Sequence, residues 1–124
     1  MATILHIAFP QQWEAAKEAR SYRWSTRGKS LDDGSTFIHA SRPEQVAMVA
    51  NVVYDDVDEP LCLLVIDTER LVSALCDEDL DGIGMSFPHI YGPLNLDAVV
   101  EVRPYHRGAD GRWPEVSAQA GILE

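Results

Sequence analysis

Hydrophobic and polar positions fall into short blocks whose period changes several times along the chain. Thr3-Ile4-Leu5-His6-Ile7-Ala8 is apolar and β-branched, and predicts a first strand in which His6 is the only strongly polar side chain. Pro10 suits the first turn of a helix. Trp13, Ala16, and then Ala19 or Arg20 recur at helical spacing, so a helix is expected over about 10–20. Ser21 to Ser35 predicts a long loop anchored by Tyr22 and Trp24, with Gly28, Gly34 and Asp32-Asp33 marking turns. Loops of this length without internal structure usually serve a site. Thr36 to Ala40 predicts a second strand, with Phe37 and His39 on one face and Ile38 on the other.

Ser41-Arg42-Pro43-Glu44 carries the signs of a helix start: Ser41 as cap, Glu44 returning the bond, Pro43 in the first turn. Val46, Val49, Ala50 and Val53 then line one helical face to about Tyr54. An acidic loop over 55–60 precedes Leu61 to Ile66, an unbroken apolar run expected as a strand buried on both faces. Leu71 to Leu75 is expected as a short strand or a single helical turn, and Cys76 to Ser86 as a surface loop. In Phe87-Pro88-His89-Ile90-Tyr91-Gly92-Pro93-Leu94 the two prolines stiffen an extended segment, which brings His89 and Tyr91 out on one face. Ala98 to Pro104 alternates as a closing strand. The order predicts an α+β domain over 1–107, with two helices and a mostly antiparallel sheet. Residues 108–124 are expected to be an extension with at most a short added strand before a frayed tail.

The chain has 124 residues, enough for one modest core, and 46% of them are hydrophobic. Apolar runs fall well short of the ~20 residues of a membrane span. The first residues lack a secretory layout. Cys62 and Cys76 lack metal-ligand spacing and are read as reduced thiols, so a cytoplasmic location is expected. A net charge of −10 disfavours nucleic acid and anionic membranes as partners and leaves a small molecule as the expected ligand. The charge is uneven. Residues 1–42 hold six cations against four anions, so any small anion would be met there, with arginine favoured for its bidentate bonding to phosphate.

Three of the four histidines, His6, His39 and His89, lie on predicted strands among hydrophobic residues, while His106 follows the last strand and is read as a surface group. Burial disfavours the charged imidazole and leaves a neutral ring able both to donate and to accept. One satisfied core histidine is unremarkable; three suggest a shared pocket. A zinc site is the rival reading, but no two of the three have a short ligand spacing, so no metal is expected. Ser41 near His39 is explained by capping, and Cys62 in a core strand is inert. The chain has no glycine-rich phosphate loop of the dinucleotide or P-loop type.

Ile4-Leu5-His6-Ile7, Gly34 with Phe37-Ile38-His39-Ala40-Ser41, Leu63 to Asp67, and Phe87 to Leu94 together resemble the bacterial domain-of-unknown-function family 952 over about residues 3–105. That family is similar in turn to the ADP-ribosyltransferase-like superfamily, whose split sheet grips NAD. The resemblance implies NAD or an ADP-ribose compound in a histidine-lined cleft, used by an ADP-ribosyl or phosphate transferase. His6 would meet a ribose, and His39, Tyr91 and His89 would act at the reacting end. Tyr22 or Trp24 would stack on a ring from a lid made by the 21–35 loop. Arg23, Arg27 or Arg42 would meet the pyrophosphate, with Ser41 beside them. The third position, usually glutamate in active transferases, falls on His89, which brings no negative charge to an oxocarbenium-like state. A non-catalytic nucleotide or metabolite binding module is the alternative, and a metal-dependent hydrolase a third possibility.

Overall fold

A computed structural model describes residues 3–116. Two three-stranded antiparallel sheets form, as expected for an α+β domain. The first holds β1 (Thr3–Ala8), β3 (Leu61–Asp67) and β6 (Val99–Tyr105), with β3 central. The second holds β2 (Ile38–His39), β5 (Phe87–Tyr91) and β4 (Ala74–Glu78), with β5 central. The sheets are linked where Leu5 and Ser41 exchange backbone hydrogen bonds of 2.8 Å in both directions.

Period-two alternation explains how the first sheet carries two cores. Leu5, Ile7, Leu61, Leu63 and Val65 face α2 (Val46–Val53). Ile4, Cys62, Leu64 and Ile66 face the other way, against Ile38 and Ile90 of the second sheet and Ala16 of α1 (Pro10–Ala19). Six of the seven residues of β3 are buried, as its unbroken apolar run requires.

Three expectations are corrected. Ser41 does not cap a helix, because its backbone is committed to pairing with Leu5. The chain instead turns through Pro43–Gln45 into α2, and Gln45 Oε1 accepts the Arg42 N–H at 2.9 Å. The segment 76–86 is not all loop: Cys76, Asp77 and Glu78 continue β4, since β5 offers them an unpaired edge. The long loop is not unstructured. Tyr22 pairs with Leu94 and Trp24 with Ser30, and 3₁₀ turns form at Thr26–Gly28 and Leu31–Asp33.

No strand forms between 106 and 116. Trp113 is packed into the α2 core, and the Arg107 guanidinium lies 4.7 Å from its ring centre. The tail expected to fray from residue 118 lies outside the described residues. Among the described residues no helix is long and apolar enough to cross a membrane.

Candidate functional site

The three strand histidines meet different fates. His6 is 2% exposed, on the face of β1 that looks toward the second sheet. Its Nδ1 lies 2.7 Å from the His39 carbonyl oxygen, which can only accept, so Nδ1 carries the proton. Nε2 therefore accepts from the Tyr22 hydroxyl at 2.9 Å. Both ring nitrogens are used, and desolvation lowers the His6 pKa to about 4. The ring braces β1, β2 and the long loop together.

His39 has the opposite environment. Its backbone N–H donates to Ser25 Oγ at 3.1 Å, but neither ring nitrogen has a hydrogen bond among the described residues. Burial, reinforced by the neighbouring His89, lowers its pKa to about 4, so the ring is neutral at pH 7. It stands between two hollows. The inner one is a crevice of about 10 Å³, lined also by His6, Ile7, Thr26, Ser41, Val49 and Tyr54. The outer one is an open groove of about 320 Å³ between α2 and residues 81–87, and it shares Thr26, His39 and Val49 with the first. The inner hollow is thus walled by neutral donors and acceptors. Tyr54 Oη accepts the Arg27 backbone N–H at 2.8 Å and keeps its own proton to give.

His89 lies one ring further out, its centroid 5.4 Å from that of His39 and 4.0 Å from Phe37, against which it stacks. Its Nδ1–H donates to Glu78 Oε1 at 2.9 Å, and the Tyr91 hydroxyl donates to the same oxygen at 2.6 Å. Those bonds, Tyr91's first and then that of His89, hold the Glu78 carboxyl below the usual range; the carboxylate in turn pushes Tyr91 up to about 12. His89 and Tyr91 line neither hollow.

The other expected ligand contacts are placed as follows. Tyr22 is 0% exposed and cannot stack on a ligand; it belongs to the core, with the half-buried Trp24 at 5.2 Å edge-on. The 21–35 loop, expected as a lid, is tied to its neighbours: Tyr22 bonds His6 and Leu94, while Arg27 bonds the Val53 carbonyl and Asp56, each at 2.8 Å. Arg23 pairs with Asp32, and Arg42 with Glu44 and Asp77, so each arginine expected at a pyrophosphate already has a carboxylate partner. Ser41 is buried and lines the inner hollow.

Glu78, Tyr54 and Asp81 were missed by sequence reasoning. Glu78 sits in an acidic stretch without alternation, where nothing local marks it as the partner of His89. Tyr54 reads as the end of an amphipathic helix, and Asp81 as one more acid in a loop. Among the described residues no group of three or more His, Cys, Asp or Glu is arranged to hold a metal ion.

Residues 7–102 match the family described as protein of unknown function (DUF952). The crystal structure of protein CC0527 from Caulobacter crescentus superposes with a TM-score of 0.75 at 30% identity, covering 91% of this chain and 94% of that one. The solution NMR structure of the same protein gives 0.72 at 31% identity, over 90% and 91% of the two chains. No curated protein matches. The names of these relatives state no activity, ligand or partner.

Proposed function

We propose that this chain, which belongs to the DUF952 family, binds a small nucleotide-type ligand, NAD or an ADP-ribose compound, in the cleft centred on His39. The observation that carries this reading is the His39 ring: half-buried, neutral, without a hydrogen bond of its own among the described residues, and facing the inner crevice and the outer groove. A ligand hydroxyl or amide entering the cleft meets in this ring a polar group that the described residues leave unpaired, and a net hydrogen bond there is worth about 0.5–1.5 kcal/mol. Ser41 and Tyr54 add hydroxyls on the inner side, where about 10 Å³ of space suits roughly one water and not a sugar ring. His6 keeps these groups in place and makes no polar bond to the ligand, since both of its nitrogens are taken.

A diphosphate at the rim would draw Arg27 away from Asp56. Exposed ion pairs of this kind are worth about 0–1 kcal/mol, so a bidentate phosphate competes with them. For transfer chemistry, Glu78 supplies the negative charge that His89 lacks, one hydrogen bond behind the imidazole. Free Cys62 and Cys76 agree with a reducing, cytoplasmic setting.

The second reading, a binding module without catalysis, is favoured by one observation: His89, Tyr91 and Glu78 line neither hollow. Titrating wild type and His39→Ala with NAD by calorimetry, while following nicotinamide release, separates the two. Saturable binding that weakens at least tenfold in the variant supports the cleft. Release of nicotinamide points to the transferase, and binding without release, with candidate acceptors present, to the module. No binding at millimolar NAD sinks both.

A further inference from the structure

The groove beside His39 has two apolar walls. On one side α2 presents Met48, Val49, Val52 and Val53, at i, i+1, i+4 and i+5, so that successive turns of the helix show the same face. On the other stand Ile83 and Phe87. Val52 is 70% and Ile83 62% exposed, so large apolar side chains meet water on both banks of the groove. Exposed apolar surface gathered around a concavity marks a place that something covers. The polar side chains among the lining residues are His39, Thr26 and Asp81.

Charge decides what kind of occupant fits. Asp81 is the one charged residue among those lining the groove, and it is close enough for its charge to act on the His39 ring. Arg27 and Arg42 do not line the groove; Arg27 pairs with Asp56, and Arg42 with Glu44 and Asp77. An anion entering the groove would meet a carboxylate and a neutral imidazole, with no cation among the residues that line it.

We propose that this groove receives the apolar body of a small molecule, uncharged or positively charged, whose polar group bonds His39, and that it turns away the same body bearing a negative charge. This inference rests on the reading of His39 as the centre of the ligand cleft and goes beyond it by setting the apolar character and charge of one end of the ligand. Any phosphate of that ligand stays on the rim, outside the apolar walls.

Benzylamine, benzamide and benzoate share one ring and carry a positive, zero and negative charge at pH 7. Each is titrated into the protein to tens of millimolar, following the methyl signals of Met48, Val52 and Ile83 by NMR. The expected result is saturable movement of these methyls with benzamide and benzylamine, and affinity at least tenfold weaker for benzoate. Asp81→Asn, an exposed substitution, is expected to narrow the benzoate deficit severalfold and to weaken benzylamine. Equal affinity for all three probes, tightest binding of benzoate, or no methyl movement with any of them overturns the inference. So does movement of the same methyls when protein alone is concentrated, which would make the groove an interface between two copies. NAD is titrated in parallel: if it binds while no probe enters, this inference fails and the His39 cleft stands, and if neither binds, the cleft itself fails.

Discussion

In the first sheet, β3 runs between hydrogen-bonded neighbours on both sides and buries six of its seven residues. In the second, β2 is two residues long and turns one side chain into a cleft. His6 and His39 show what that difference means chemically. Both are neutral, with pKa values lowered to about 4 by burial, so titration alone does not distinguish them. Their hydrogen bonds do. His6, on the long sheet, spends both nitrogens on the protein and so stabilises the fold. His39, on the short sheet, contributes its backbone to the structure and leaves its ring for something else. A group that folding has fully satisfied has little left to offer a ligand.

The largest expected effect is on stability toward acid. Each histidine has its folded pKa depressed from 6.5 to about 4, so between those values the unfolded chain binds more protons and stability falls as pH falls. The loss for His6 approaches about 3 kcal/mol by pH 4, and that for the less buried His39 is smaller. Denaturant titrations from pH 7 to 4 should show up to two extra protons taken up on unfolding, and one fewer in His39→Ala. An unchanged slope in that variant would mean that the His39 ring is not desolvated.

Next comes the crossed pair of substitutions. His6→Ala strands the Tyr22 hydroxyl and the His39 carbonyl in the interior and should cost about 3 kcal/mol by chemical denaturation. His39→Ala should cost about 1 kcal/mol or less and act on ligand affinity instead. Were the two to lose similar stability, the contrast between brace and ligand group would collapse.

The smallest effect sharpens the outer edge of the second sheet. Glu78→Gln removes the charge that holds the Tyr91 phenol, so the Tyr91 pKa should drop from about 12 toward the ordinary ~10, read by NMR titration. Stability near neutral pH should barely move, because Tyr91 is exposed. A Tyr91 pKa that stays put would place its proton elsewhere.

Most of the elements were legible because they are carried by local pattern. The alternating face of β1, the unbroken run of β3 and the Val46, Val49, Ala50, Val53 face of α2 each state their burial in the residues themselves. β4 was not legible past residue 75: its exposed, acidic residues have no pattern of their own and take strand form from the free edge of β5. The site followed the same division. That His6, His39 and His89 would be desolvated or packed near one another could be expected from strand composition. Which nitrogen meets which oxygen could not.

What the order of residues settled alone was the kind of fold, the family, and neutral imidazoles set in apolar strands, since periodicity and composition act over a few neighbours. What waited for the tertiary structure was the assignment of each polar group: Tyr22 to the core, Ser41 to the junction of the sheets, the arginines to carboxylates, Glu78 to His89. A hydrogen bond between residues 16 or 33 positions apart, as at His6, depends on directions that only the assembled chain defines.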